Sequence, residues 1–201
     1  MKEKSTASKA AKPAAASHLL SFIHEWGHPE WIVIAVEAPV DQVSSHYSTI
    51  RSARKRLTEV PIHARRKRDD EIAPLVAIVQ PKGSAWSVIL RILCMPIGMP
   101  DVTDAEQVCQ KTSAKLKTRA LAFIGEDTSF AMGYILYQKG KKVGSKDWES
   151  QRNSADKAFA DLGIYLPACY PRQEGKKIWV CTDESSRDLI ERADVVDIGD
   201  I

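Results

Sequence analysis

The chain has 201 residues, of which 44% are hydrophobic and 27% are charged, and its formal net charge is +3. This composition is typical of globular proteins and excludes collagen, a coiled coil, a small disulfide-rich protein and a wholly disordered chain. The charge is polarised along the sequence, with basic residues in excess at 1–17 and 51–68 and acidic residues in excess at 183–200.

The first 17 residues contain four Lys against one Glu and include no aromatic residue. Such a segment buries too little apolar surface to offset its loss of conformational entropy, so we expect 1–17 to form a disordered Lys/Ala-rich tail. The remainder suits one domain, 18–201, in which we expect a core at 30–145 and a C-terminal extension at 146–201.

Two helices and one strand are predicted in the first third of the chain. A short helix is expected at 18–26, ahead of Pro29. The β-branched run at 31–36 predicts a strand that is buried on both faces. A helix is predicted over 41–58, because apolar residues recur there at helical spacing, namely Val43, Tyr47, Ile50 and Leu57.

The middle of the chain predicts a loop, a hairpin and a helix. The charged run at 64–70 is expected to be the loop. The apolar runs at 75–79 and 86–93 predict two strands joined by a turn at 80–84, and a helix is predicted at 104–117. Later we expect strands at 120–124, 133–137, 142–143 and 177–181, helices at 154–162 and 184–193, and an edge pairing at 195–196.

Up to residue 143 the predicted order is strand, helix, strand, strand, helix, strand, strand. This order is typical of the split β-α-β arrangement with an added hairpin. We therefore expect an α+β fold, in which a mostly antiparallel sheet has helices packed on one face and is followed by the C-terminal extension. The order of elements predicts no activity.

The string His24-Glu25-Trp26-Gly27-His28 satisfies H-E-x-x-H, in which two imidazoles one helical turn apart bind zinc and the Glu acts as general base. Gly27 and Pro29 bracket the second His, so the helix should end before it can aim His28 at a metal. A helix C-terminus that carries His near exposed carbonyls explains the string more simply. A zinc hydrolase that uses His24 and His28 is the third and least favoured functional hypothesis.

Residues 51–68, which we call the basic window, carry eight basic residues against one acid. Clusters of Lys and Arg bind nucleic acid by neutralising its phosphates. No Phe, Trp or Tyr interleaves the run, so it predicts no base-stacking platform, and a solvated helix face and loop is the simpler interpretation. The window residues that could contact nucleic acid or a protein partner are Arg51, Arg54, Lys55, Arg65, Arg66, Lys67 and Arg68.

Two acidic segments are further candidates for contacts. The loop at 125–129 places Glu126 and Asp127 between two predicted strands, where they could contact a polar partner, although turn-forming hydrogen bonds are the commoner use of such residues. The stretch at 183–200 holds seven acids against two Arg. We expect it either to be a soluble end or to fold back on the basic window, where salt would weaken the pairing.

No secretion signal, membrane segment or disulfide framework is predicted. The apolar run near the start is too short for a signal, and no stretch reaches the roughly 18 apolar residues of a membrane span. The four cysteines show no paired spacing, so we expect reduced thiols and a cytoplasmic location. A transit peptide at 1–17 is less favoured, because this segment lacks Arg and contains Glu3. We expect no cofactor, no structural metal and no membrane partner.

The leading functional hypothesis is a non-catalytic protein-interaction or regulatory protein, such as an inhibitor or immunity-type protein. The sequence contains no phosphate-binding Gly-rich loop, nucleophile elbow or Cys–His motif. We therefore assign no catalytic residue and favour a protein without enzymatic activity, with an unidentified protein as its partner. The alternative is a nucleic-acid-associated protein that uses the basic window and the tail.

Overall fold

The computed structural model describes residues 30–64, 75–92, 102–126, 131–149, 162–164, 169–182 and 184–199. The strands in these ranges are β1 (Glu30–Val36), β2 (Lys55–Leu57), β3 (Ile62–Ala64), β4 (Leu75–Pro81), β5 (Ser87–Ile92), β6 (Arg119–Glu126), β7 (Ala131–Gln138), β8 (Lys141–Glu149), β9 (Cys169–Glu174), β10 (Lys177–Thr182) and β11 (Ile190–Asp197). The helices are α1 (Val40–Ile50), α2 (Val102–Leu116) and α3 (Glu184–Arg187).

Eight strands form one sheet in the order β2-β11-β4-β5-β1-β6-β7-β8, and every neighbouring pair is antiparallel. A second sheet has the order β3-β10-β9, in which β10 is parallel to β3 and antiparallel to β9. The predicted α+β class with a mostly antiparallel sheet is confirmed.

The central strands β4-β5-β1-β6 and the two longer helices form a split β-α-β core. The chain leaves β1 through α1, forms β2 at the edge of the main sheet and β3 in the second sheet, and then enters β4; β5 lies between β1 and β4. In the same way, α2 connects β5 with β6, and β1 lies between them. Both helices therefore serve crossover connections between strands that run in the same direction.

The main sheet is buried on both faces. Val36 of β1 packs in one cluster with Tyr47 of α1 and with apolar residues of α2, so both helices cover the same face. Val33 points to the opposite face and packs in a second cluster with Val180 of the three-stranded sheet. Because side chains alternate between the faces of a strand, this double cover explains the continuous apolar run of β1.

The predicted helix over 41–58 is too long. The helix ends at Ile50, and Ser52 adopts a left-handed conformation with φ 49°. Lys55–Leu57 then forms strand β2, and Leu57 pairs with Val195 of β11. The helical spacing of Leu57 was coincidental, because pairing with a distant strand overrides local helix propensity.

The predicted helix at 184–193 is also wrong beyond its first turn. α3 covers four residues, and Ile190–Asp197 forms β11, which pairs with β4 along most of its length. The edge pairing expected at 195–196 is instead part of an interior strand between β2 and β4. The helix expected at 18–26 and the tail at 1–17 lie outside the described residues, as does 154–162 apart from its last residue.

The other predicted strands and helices named below are present, although the strand expected at 142–143 is much longer, Lys141–Glu149. The runs at 75–79 and 86–93 form the antiparallel hairpin β4–β5, and the next predicted helix is α2. The strands predicted at 120–124, 133–137, 142–143 and 177–181 are β6, β7, β8 and β10. Within the described ranges, no helix has the length and apolar character needed to cross a bilayer.

Candidate functional site

The first residue of the basic window is held inside the structure. Arg51 follows α1, and its guanidinium donates two hydrogen bonds to the carboxylate of Asp104 on α2, one of them at 2.7 Å. The guanidinium also lies 5.6 Å from the ring centre of Tyr47. Burial disfavours the charged guanidinium, but the bonds to Asp104 outweigh this effect and raise the pKa of Arg51. Its charge is therefore neutralised where α1 meets α2.

The next basic residues lie along the β2 edge of the main sheet. Arg54 donates its backbone N–H to the carbonyl of Asp197 at 2.9 Å, and its guanidinium packs against Gly199. Arg56 donates a hydrogen bond at 3.4 Å to a backbone carbonyl of α1, and Lys55 is exposed. The remaining candidates of the basic window, Arg65, Arg66, Lys67 and Arg68, lie outside the described residues.

The acidic C-terminal stretch runs beside the basic window. β11 pairs with β2, and Asp197 is the register partner of Lys55. The backbone N–H of Val60 donates to the carbonyl of Ala193 at 2.8 Å, which extends the contact beyond β2. The two oppositely charged segments therefore meet within one chain.

Asp194 is a buried carboxylate at the centre of this contact, with 0% of its surface exposed. It accepts hydrogen bonds from the hydroxyl of Ser44 at 2.5 Å and from the backbone N–H of Glu59 at 3.0 Å. The Nε of Arg192 lies 3.4 Å from the same carboxylate. Asp194 thus joins α1, the β2–β3 connection and β11, and it has the partners that a buried charge requires.

Several other candidates cannot be placed in a site. His24, Glu25 and His28 lie outside the described residues, as does Asp127. Glu126 is the last residue of β6, and its backbone is opposite Glu30 of β1. In the described ranges, no three His, Cys, Asp or Glu side chains are grouped closely enough to hold a metal ion.

The three-stranded sheet gathers polar and aromatic residues on the face that is turned away from the main sheet. His63, Cys181 and Tyr170 form one row across β3, β10 and β9. Trp179 lies 6.2 Å from the ring of His63 and 6.0 Å from the guanidinium of Arg172. Burial raises the pKa of Tyr170 to about 12, which keeps this side chain neutral at pH 7. This row therefore places a buried cysteine between a histidine and a tyrosine.

The turn between β7 and β8 is fixed to the end of α2. Lys139 and Gly140 have φ values of 51° and 81°, which are typical of a two-residue type I′ turn. The backbone N–H of Gly140 donates to the hydroxyl of Ser113 at 3.2 Å, and that of Lys139 donates to the carbonyl of Thr118 at 3.0 Å. A Cβ on Gly140 would lie 2.8 Å from the Cβ of Ala114, so only glycine allows this close approach.

This docking brings exposed lysines from two distant segments to one corner of the molecule. We call this surface the lysine corner, and it consists of Lys115, Lys117, Lys139, Lys141 and Lys142, all exposed. Segments 107–118 and 138–146, which supply it, contain no acidic residue. A lysine in the last turn of a helix interacts favourably with the carbonyl groups at the end of that helix, which explains the presence of Lys115. This effect does not explain the three lysines of the hairpin, Lys139, Lys141 and Lys142.

An acidic residue next to the lysine corner is already engaged. The carbonyl of Glu37 accepts a hydrogen bond from the hydroxyl of Thr118 at 2.6 Å. Its carboxylate accepts two hydrogen bonds from the guanidinium of Arg119, both at 2.7 Å. These bonds hold the pKa of Glu37 below its ordinary value. Because the carboxylate of Glu37 is paired with Arg119, its negative charge does not neutralise the lysines of the corner.

The lysine corner continues into an open sheet edge. β8 ends the main sheet, and within the described residues it pairs with β7 and with no other strand. A register shift opposite Leu136 and Tyr137 leaves Val143 as the extra residue of a β-bulge, and 54% of its surface is exposed. The type I′ turn makes Gln138 and Lys141 a hydrogen-bonded pair, so alternation points the backbone N–H and C=O groups of Lys142 and Ser145 away from β7.

The sequence was compared with known proteins at three levels. It matches no protein family, no curated protein and no solved structure. The contacts and charges of the described residues therefore carry the functional proposal by themselves.

Reasoning from the sequence missed the lysine corner. The strands predicted at 133–137 and 142–143 imply a turn between them, and lysines lie on both sides of Gly140. What could not be read from these residues is that the turn docks on Ser113 and Ala114, because nothing local specifies which helix a hairpin turn contacts.

Proposed function

We propose that this chain is a non-catalytic protein-interaction protein and that it binds its partner along the open edge of β8. The supporting observation is that β8, a nine-residue strand, ends the main sheet and pairs with β7 alone among the described strands. An edge strand offers a row of backbone donors and acceptors to which another chain can add a strand.

The local geometry of β8 favours this mode of binding. The outward backbone groups of Lys142 and Ser145 are two points at which a partner strand would bond. Val143 adds an exposed apolar side chain between them, which a partner could cover. The lysines of β8 protect the edge from non-specific pairing, since charged edges resist self-association, and they would still accept a partner of opposite charge.

The experiment compares Ser145→Pro with Ser145→Ala in the full-length chain. Proline removes the outward N–H of residue 145 and puts its ring in the place of that hydrogen. The hydrogen bonds from β8 to β7 should remain, because proline is tolerated in edge strands where the N–H faces solvent. Alanine keeps the N–H and serves as the matched control. Circular dichroism establishes that both variants are folded.

Each variant is used to capture partners from native lysate, with and without nuclease treatment. We expect the wild type and Ser145→Ala to retain the same protein in stoichiometric amount and Ser145→Pro to lose it. Equal capture by all three would refute binding at the β8 edge. Capture that disappears after nuclease treatment would instead support the nucleic-acid alternative.

We propose the cytoplasm as the location. Cys109, Cys169 and Cys181 are buried and remain thiols, although the last two lie on neighbouring strands. Burial raises the pKa of the Cys109 thiol well above its ordinary value. Buried, reduced cysteines are typical of proteins from reducing compartments.

A further inference from the structure

We infer that the partner segment is an acidic stretch of protein and that the lysine corner recognises it. This inference rests on the proposed function and adds the chemistry of the partner. The lysine corner would select a segment with several Asp or Glu residues near the end that pairs with the first half of β8.

The charge of the lysine corner is not balanced from within its own segments. The five lysines of the corner come from 107–118 and 138–146, which contain no acid and also hold the exposed Lys111; the flanking acids are Glu106 on α2 and Asp147 on β8. The neighbouring carboxylate of Glu37 is bound on both oxygens by Arg119. A concentrated, unbalanced positive surface raises the encounter rate with an anionic partner and disfavours a cationic one.

The lysines are presented by rigid elements. The side-chain amide of Gln110 on α2 donates to the carbonyl of Gly140 at 3.2 Å, in addition to the bonds that Ser113 and Thr118 make with the turn. The close approach of Gly140 to Ala114 locks the turn further. The backbone that carries the lysines is therefore already ordered before a partner binds. On the side of this chain, binding costs only the conformational entropy of the lysine side chains.

A protein segment fits this surface better than a nucleic acid does. Lys141 and Lys142 belong to the lysine corner and to β8 at once, so a strand added to β8 passes directly over the charges. The outward N–H and C=O of Lys142 match the backbone of a peptide, whereas phosphates accept hydrogen bonds and donate none. Among the described residues of the corner there is no exposed aromatic side chain on which a base could stack.

The probe is a labelled synthetic decapeptide of alternating Glu and Val, and its control has Gln in place of each Glu. Affinity for the full-length chain is measured by fluorescence anisotropy at low and at high salt. We expect the Glu peptide to bind at least tenfold more tightly than the Gln peptide at low salt, with most of the difference lost at high salt.

Two triple variants with the same loss of charge test the location. Lys117→Gln, Lys139→Gln and Lys142→Gln together should weaken binding of the Glu peptide roughly tenfold. Lys55→Gln, Lys176→Gln and Lys177→Gln remove three exposed lysines elsewhere and should change the affinity by about twofold or less. Equal losses in both variants would overturn the inference, since they would show attraction to net charge alone.

The outcomes separate this inference from the proposed function. Loss of binding in Ser145→Pro with full binding in the lysine-corner variant would leave edge pairing intact and overturn recognition by charge. The opposite pattern would keep recognition by charge and refute pairing with β8. Tighter binding of a single-stranded oligonucleotide than of the Glu peptide, at equal charge and salt, would overturn the inference in favour of nucleic acid.

Discussion

The two edges of the main sheet are both basic, but only one of them is neutralised by its surroundings. At the β2 edge, Arg51 is bound by Asp104, Arg54 packs on Gly199, and the acidic strand β11 is the next neighbour. At the β8 edge, the lysines of the corner lie at or just before the start of β8 and in 107–118, and the acids of β8, Asp147 and Glu149, come at its far end. The β2 edge is also only three residues long, whereas β8 has nine.

This difference shows that a charge run visible in the sequence is not by itself a binding surface. The described part of the basic window consists of neighbouring residues, and the fold uses several of them to bind its own elements together. The lysine corner is assembled from segments about 20 residues apart, and its five lysines are exposed. Short edges and internal pairing reduce the tendency of an edge to recruit other chains, and a long open edge retains it.

The largest expected effect tests how much the buried contacts of Asp194, beside the β2 edge, contribute to stability. Asp194→Ala removes the buried acceptor of Ser44 and Glu59 and leaves Arg192 without this carboxylate. Loss of one partner from a buried polar cluster should lower the free energy of unfolding by about 3 kcal/mol. Urea denaturation followed by circular dichroism measures this loss.

The control for this change is Asp188→Ala, which removes an exposed acid of the same stretch. It should alter stability by about 0.5 kcal/mol or less. Equal effects of the two substitutions would show that Asp194 is not the point at which the acidic stretch is held.

A second prediction tests the docking that builds the β8 side. Gly140→Ala places a Cβ 2.8 Å from that of Ala114 and forces a non-glycine residue to φ 81°. We expect a loss of about 2 kcal/mol in the free energy of unfolding and a weaker affinity for the acidic peptide. Thermal unfolding and anisotropy together check both consequences.

Gly83→Ala is the matched control, because Gly83 has a similar φ of 68° but no atom within 4 Å of the added Cβ. It carries only the conformational strain, about 1 kcal/mol, and should leave peptide affinity unchanged. A peptide affinity that is unaltered in Gly140→Ala would mean that docking of the turn does not shape the lysine corner.

A smaller effect concerns the ion pair beside the lysine corner. Because hydrogen bonds from Arg119 lower the pKa of Glu37 in the folded state, the pair stabilises the fold above the ordinary pKa of 4.5 and loses this contribution as the pH falls further. Since both side chains are about one third exposed, Glu37→Gln should cost only about 0.5 kcal/mol at pH 7. The difference from the wild type should shrink as the pH falls below 4.5, and a difference that grows with falling pH would contradict this assignment.

The smallest effect is expected at the β2 edge itself. Lys55→Gln removes an exposed charge whose register partner is Asp197, and it should change stability by less than about 0.5 kcal/mol. The stability difference between Lys55→Gln and the wild type should also depend little on salt concentration. A destabilisation above about 1 kcal/mol would show that contacts between the two charged segments contribute more than the backbone pairing of β2 with β11.

Much of the fold could be predicted, because its strands carry signals that are local. The runs that became β1, β4 and β5 are continuous and apolar, as expected for strands covered on both faces, and the order of elements identified the split β-α-β core. The two wrongly predicted helices cover β2 and β11, which pair with each other and contain several charges, and β3 was not predicted as a strand. Their identity depends on a partner far away in the sequence, which no local periodicity reveals.

The candidate site was less predictable for the same reason. Asp194 lies in a stretch of seven acids and was interpreted as part of a soluble end, yet it is buried because Ser44, Glu59 and Arg192 surround it. Flanking apolar residues such as Val195 were the one local signal of burial. The lysine corner required knowledge of a hairpin docking on a helix, which is tertiary information.

The position of β11 in the sheet has a consequence for the synthesis of the chain. β4 is buried along nearly all of its length, and its outer neighbour is β11, which begins about 110 residues later. At ribosomal rates of roughly 5–20 residues per second, the apolar edge of β4 waits for about 5–20 s without that neighbour. The nascent chain therefore exposes this edge of β4 until β11 has emerged, and a chaperone that covers β4 during this interval should raise the folded yield.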